Sequence, residues 1–280
     1  CADSGAGCSA NPARWGVDFA SAGSPAPLFV AKDASNNRQP ITSDVQVTRY
    51  FNGDGAQSFF GTGKYLENSD ITTTGTQTLY SLWDKGITPS TIAGRGDLQQ
   101  QTVTSTVTAS GREYRTTSAT AIDWATQRGW YLDLPTSGER IVSMPQLYDN
   151  RIMFTTLIPD SGVCSSGGTG WLMEVDAVTG GKLVGPTLDV NGDGQVTTAD
   201  NLGVDGNGAP IYPSGVKEAS IPSAARLQKN PEIGGGGSGG QLNKFISLSK
   251  AGAGVAGSLA PEINPLASTQ KRTSWRQIFE

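Results

Sequence analysis

Histidine is absent from all 280 residues. That absence excludes Ser-His-Asp and Cys-His catalysis and every His-ligated zinc or haem site. Cysteine is scarce: Cys1, Cys8 and Cys164 are the three present. Cys1 and Cys8 could close a small loop, or either could reach Cys164. An odd number leaves one thiol over, or paired outside this sequence. Charge is sparse too, at 16% of residues against roughly a quarter in an ordinary globular chain. Long salt-bridged helices are therefore not expected. With a net charge of −4 and a pI near 5.0, nothing invites nucleic acid or an anionic membrane surface. No apolar run reaches membrane-spanning length and no signal peptide is recognisable. The opening CADSGAGCS is neither an initiator Met nor an expected mature start, so the chain reads as a fragment whose upstream part is missing.

What is plentiful is glycine, at 37 residues, together with Ser and Thr. That composition suits short strands joined by many turns. Alternation of apolar and polar residues marks VQVTRYF from residue 45, QSFF, TLYSLWD at 78–84, TVTSTVTA at 102–109 and GWYLDLP at 129–135. Two strand-like runs, 140–148 and 151–158, flank Asp149-Asn150, a favoured hairpin turn pair. GWLMEVDAVTGGKL at 170–183 reads as strand, polar turn, strand. Helical turns are expected only near 198–202 and at the C-terminus. The division expected is an irregular segment at 1–26, a β region at 27–233, and a Gly-rich loop with a closing segment at 234–280. Loose recurrence of LYSLWDKGIT (79–88) and WLMEVDAVTG (171–180) favours radially repeated antiparallel sheets. A β-sandwich is the competing all-β reading.

The stretch 189–200, DVNGDGQVTTAD, gathers Asp189, Asn191, Asp193 and Asp200 around Gly194. The spacing matches an EF-hand-like calcium loop, D-x-[DN]-x-[DN]-G, with Gln195 giving a backbone carbonyl at position 7 and Thr197 at position 9. Asp200 stands at position 12, where the sensor pattern has Glu. Calcium takes six to eight hard oxygens, and alternate residues of a tight loop point theirs inward. A cation between the carboxylates turns repulsion into attraction. The plainer reading is a solvated Asx/Gly turn, outweighed because so many positions agree at once. The shorter Asp at position 12 predicts weaker affinity than that of cytosolic buffers.

Longer motifs carry a resemblance. FGTGKYLENSDITTTGTQTLYSLWDKG (60–86), GWYLDLPTSGERIVSMPQLYDNRIMFTTLIPDSGVCSSGGTGWLMEVDAVTGGKL (129–183), the acidic loop after it and TSWRQI (273–278) resemble the C-terminal region of the PilY family of type IV pilus-tip adhesins and biogenesis proteins. The resemblance runs from about residue 27 to the end. It implies an all-β, modified β-propeller, of which only the later blades fit in this length. It implies a non-enzymatic protein at the cell surface or pilus tip, exported through periplasm and outer membrane. It implies minor pilins as partners and roles in pilus biogenesis, retraction control, twitching motility and adhesion. It also implies calcium at Asp189, Asn191, Asp193, Gln195, Thr197 and Asp200. A structural disulfide for Cys164 follows from folding in an oxidising space, with Cys1, Cys8 or an upstream residue as partner.

Arg95-Gly96-Asp97 spells an integrin-type tripeptide for a host ligand, but an ordinary Gly turn between opposite charges accounts for it. MEVDAVTGGKL resembles the blade repeat of quinoprotein dehydrogenases, the enzyme alternative; there too the Asp and Thr fix a turn. Asp123, Asp133, Glu139 and Asp176 select no acid/base pair. Trp15, Trp124, Trp130, Trp171 and Trp275 read as packing rather than as a sugar platform. A purely structural calcium-stabilised module is the remaining alternative.

Overall fold

The computed structural model describes residues 20–21, 24–25, 27–51, 53–86, 91–160, 167–229, 242–249 and 260–262. Among them the chain forms sixteen strands in four sheets. A minimal hairpin joins β1 (Ala20–Ser21) and β2 (Ser24–Pro25). The first large sheet has the order β3-β4-β5-β9-β6, built from β3 (Gln46–Arg49), β4 (Ala56–Gly61), β5 (Thr78–Asp84), β6 (Gln99–Gln101) and β9 (Gly129–Asp133). The second has the order β10-β11-β12-β13-β8-β7. Its strands are β7 (Val103–Ala109), β8 (Arg112–Thr117), β10 (Gln146–Tyr148), β11 (Arg151–Pro159), β12 (Gly168–Asp176) and β13 (Gly215–Glu218). A third sheet pairs β14 (Arg226–Lys229), β15 (Leu242–Phe245) and β16 (Ala260–Glu262). All pairings are antiparallel except β6 with β9.

Both large sheets are covered on both faces, and period-2 side-chain alternation shows how. In β5, Leu79 enters a core shared with Trp130, Ile152, Phe154 and Met173, which lies between the two sheets. Its neighbour Tyr80 points the other way, into a cluster with Phe60, Tyr131, Ile92 and Leu98. In β11, Ile152 and Phe154 face the shared core while Met153 joins Tyr114, Leu172 and Val216 on the outer face. Strands buried on both faces read as near-continuous apolar runs, as MFTTLI and WLMEV do.

The predicted hairpin turn is present, with a first strand of only three residues, β10, in place of the expected 140–148: Tyr148 pairs with Arg151 across Asp149-Asn150, whose φ values are 47° and 59°. Both left-handed residues suit a two-residue turn matching strand twist. The 170–183 stretch divides differently from expectation. It is one strand, β12, ending in a turn, with no second strand directly after it. No helix forms at 198–202, which is a turn; short 3-10 turns occur instead at Asn68–Thr72 and Arg95–Asp97. At 197–200 the Asp200 carboxylate instead closes a tight turn by accepting from Thr197 N–H, and it ties that turn back to Val190 and Asn191. Cys1, Cys8, Cys164, Trp15, Trp275, the 234–240 glycine run and the 273–278 motif lie outside the described residues. No helix among the described residues is long and apolar enough to cross a membrane.

Candidate functional site

The acidic stretch lies in the connection from β12 to β13, across the outer face of the six-stranded sheet. Its anchors are apolar. Leu188 and Val190 pack with Tyr114, Met153, Leu172 and Val216, and Leu202 rests against the same cluster. Val196 is buried as well. The acids therefore sit between residues pinned to the sheet, a pattern legible in the sequence as apolar residues alternating with the loop's carboxylates. Tyr114 on β8 donates its hydroxyl to the Asp189 carbonyl at 3.3 Å. Burial pushes the Tyr114 hydroxyl pKa up; Arg112 opposes that, while Asp189 and Asp200 add to it.

Inside the loop, each acid closes a backbone turn. Asp189 accepts from Gly192 N–H through Oδ1 (2.6 Å) and from Gly194 N–H through Oδ2 (2.8 Å). Asn191 Oδ1 accepts from Asp193 N–H at 2.9 Å, and Asp193 Oδ1 from Gln195 N–H at 2.8 Å. Gly192 and Gly194 take φ of 78° and 82°, the left-handed conformation that lets successive acids turn inward. Asp200 differs from the rest. It is fully buried; its Oδ1 takes Val190 and Asn191 N–H at 2.8 and 3.1 Å, and its Oδ2 takes Thr197 N–H at 2.7 Å. Thr197 adds its hydroxyl at 3.4 Å.

The structure thus brings all six predicted residues into one loop, but the three carboxylates do not meet at a point. Among the described residues, no group of three or more His, Cys, Asp or Glu is gathered to hold a metal. The donor set nonetheless suits calcium in kind. Every side-chain donor is a hard oxygen, and the carboxylates of half-buried Asp189 and exposed Asp193 have no ion-pair partner among the described residues. Each of their oxygens keeps a lone pair beyond the N–H it accepts. Asp200 is committed to closing the loop from its buried side.

The other candidates resolve into packing. Arg95 is not available to a host receptor in this fold, a correction to the tripeptide reading. Its guanidinium forms a bidentate pair with Asp133 at 2.9 and 2.6 Å and donates to Thr78 Oγ1. It also donates to the Lys32 carbonyl and the Tyr80 hydroxyl, and stacks 4.5 Å from the Tyr131 ring. Burial alone would lower its pKa, but the Asp133 bond and Tyr80 outweigh it and raise the value. Asp97 turns back to accept from Ala93 N–H. Glu139 pairs with Arg115 at 2.6 and 2.9 Å in the core, and Asp123 caps the turn at 125–126. Asp176 accepts from the backbone and hydroxyl of Thr179 at 2.7 and 2.9 Å. The glycine of that motif, Gly180 (φ 72°), lies so close to Trp130 that a Cβ would come within 2.3 Å of the ring. Trp130 bonds the Ala177 carbonyl, Trp171 lies 3.8 Å beneath Arg115, and Trp124 meets Trp83 edge-on.

Comparison with known proteins agrees with this architecture. The family model of the PilY1 beta-propeller domain matches residues 6–111. A type IV pilus biogenesis factor PilY1 homolog of Xylella fastidiosa is 34% identical over 182 residues, 62% of this chain and 12% of that protein. The type IV pilus biogenesis factor PilY1 of Pseudomonas aeruginosa is 27% identical over 278 residues, 90% of this chain and 22% of that protein. The crystal structure of the Pseudomonas aeruginosa PilY1 C-terminal domain matches with a TM-score of 0.68 and 26% sequence identity, covering 87% of this chain and 48% of that one. The chain spans less than a quarter of the length of these two curated relatives.

Proposed function

The chain belongs to the PilY1 family, and on that premise we propose that it is the propeller-like part of a calcium-binding type IV pilus biogenesis protein at the cell surface or pilus tip. Its expected partners are minor pilins, and its expected roles are pilus assembly, retraction control, twitching motility and adhesion. It acts as a binding scaffold rather than an enzyme. The observation that carries this reading is the placement of the acidic loop, which rides on the outer face of the six-stranded sheet through Leu188 and Val190.

Calcium would be held by oxygens of Asp189, Asn191 and Asp193 and by the Gln195 carbonyl, with Thr197 and Asp200 closing the far end. The ion supplies the positive charge the loop lacks. Without it, the Asp189 and Asp193 carboxylates would repel each other across a tight turn held only by backbone N–H groups. With it, that turn would be stiffened, and Tyr114 and Val190 would carry the stiffening to β8 and β13. The surface thereby held in one geometry is the one offered to pilus components.

Isothermal calorimetry with calcium, zinc and magnesium tests the metal. Oxygen-only donors favour calcium over zinc, and magnesium's smaller octahedral shell fits poorly. Tighter binding of zinc than of calcium would overturn the assignment. Binding of purified minor pilins with calcium and with chelator tests the partner. The quinoprotein-like alternative predicts a bound quinone and turnover of an artificial electron acceptor with alcohols. Asp176 and Thr179, the residues that suggested it, are occupied in a turn.

A further inference from the structure

The turn at 32–38 separates two cavities, of about 500 and 530 Å3, and Asp33 and Arg38 line both. Neither cavity touches the acidic loop. In a chain of net charge −4, their lining is cationic: Lys32, Arg38, Lys64, Arg95 and Arg140 against two carboxylates, Asp33 and Asp70. Arg95 and Lys64 have acid partners, Asp133 for one and Glu67 with Asp70 for the other. The remaining three cations have none among the described residues. Arg140 is 3% exposed, and its guanidinium is held by carbonyls of Gly138, Lys64, Asp70 and Thr73 at 2.7–2.9 Å. These bonds occupy four of its five N–H groups, and the Asp70 carboxylate offsets part of its charge beneath the first cavity. Arg38 is exposed at the rim.

A second observation points to hydroxyl donors. Gln77 lines the first cavity, is 8% exposed, and its Oε1 is buried without a hydrogen-bond donor. An unpaired buried acceptor costs roughly 1–3 kcal/mol unless something donates to it. Asp33 also lines the groove as an acceptor. Bonds from Asn37 backbone and side chain at 2.8 and 3.0 Å hold its carboxyl pKa below the usual range, so it stays ionised. The first cavity therefore asks for one ligand with two properties, a negative group for Arg38 and hydroxyls for Gln77 and Asp33.

We propose that this groove binds a carboxylated saccharide, of the uronic acid class. The sugar carboxylate pairs with Arg38, within reach of the Arg140 field, and ring hydroxyls donate to Gln77 Oε1 and the Asp33 carboxylate. An acidic peptide fits less well. Peptide grooves offer a free strand edge or apolar side-chain pockets, whereas the turn's backbone groups bond internally between Asp33 and Asn37 and from Gln39 to Ala31.

Calorimetric titration of the full chain with oligogalacturonate tests the proposal, with oligogalactose and polyglutamate as comparison probes. Oligogalacturonate should bind, more weakly as salt rises, and oligogalactose should not. Arg38→Gln, at an exposed position, should weaken binding about tenfold or more. Gln77→Leu should also weaken it several-fold, yet melt no lower than the wild type because it removes an unpaired acceptor. With chelator present throughout, Asp193→Ala should leave the affinity unchanged, which separates this site from the loop. Absence of oligogalacturonate binding, or wild-type affinity in both variants, would overturn the proposal. Polyglutamate binding as tightly, with the same Arg38→Gln loss, would assign the groove to acidic peptides instead.

Discussion

Two regions of the six-stranded sheet treat charge in opposite ways. On its inner side Arg115 and Glu139, 2% and 0% exposed, neutralise each other with two short bonds. Thr136 and Thr156 complete the network, and the Trp171 ring faces the guanidinium. On the outer side, Asp189 and Asp193 are supported by backbone N–H groups and have no cation beside them among the described residues. A charge removed from water must find its opposite within the fold. A charge left at the surface needs only turn geometry to hold it, and stays able to recruit an ion. Burial makes the first region a stability element and exposure makes the second a candidate responsive element.

Breaking the buried pair should have the largest effect. Arg115→Met leaves Glu139 charged in the core and should cost about 3–5 kcal/mol, read by urea unfolding, with or without calcium. If the loss were no larger than that of a surface substitution, the contrast between the two regions would collapse. The loop should respond to its ion instead. At a hundredfold excess over the dissociation constant, calcium should add about 2.7 kcal/mol. That increment should vanish in Asp189→Ala and Asp193→Ala, which in chelator should melt at or slightly above the wild type. Equal melting of the wild type in calcium and chelator would make the loop a plain turn.

Asp200 sharpens the comparison, because it is a loop residue buried like Glu139. Asp200→Ala strands three backbone N–H groups and should cost about 2 kcal/mol even in chelator. An effect confined to calcium-containing buffer would place Asp200 with the exposed acids. A smaller effect belongs to Glu218, at the end of β13 and paired with Arg112 at the start of β8. Burial pushes its carboxyl pKa up, and Arg112 only partly offsets that. A raised carboxyl favours the protonated folded form. Its contribution is full below the ordinary carboxylate value and is lost as pH rises through the folded value. Wild type should therefore lose melting temperature relative to Glu218→Gln as pH climbs from about 4 towards neutrality. A difference that does not change with pH would remove this account. The exposed Arg49–Asp54 pair, 81% and 100% exposed, should show no measurable loss on Arg49→Ala.

Much of this was readable along the chain. Strand positions at 78–84, 102–109 and 129–135, the Asp149-Asn150 turn and the Asp176–Thr179 turn all follow from local chemistry. Those features need only neighbours within a few residues, and period-2 alternation or a side chain bonding its own backbone leaves a local mark. Asp189, Asn191 and Asp193 belong to the same class, since their spacing is the signal. Arg95 was the opposite case. Its tripeptide is local, but its fate rests on Asp133 and Tyr80, which sequence separation hides.

By itself, then, the sequence determined an all-β chain with tight turns, an oxygen-rich loop and no histidine chemistry, because composition and short-range spacing suffice for those. Only the tertiary structure decided which strand lies beside which, including the parallel β6–β9 pair and β13 against β8. It alone set which charges are buried in pairs, placed Arg38 and Arg140 at one cavity, and turned Asp200 inward. Pairing and burial depend on contacts between residues far apart in the chain. The alternating pattern that makes a strand says nothing about its partner.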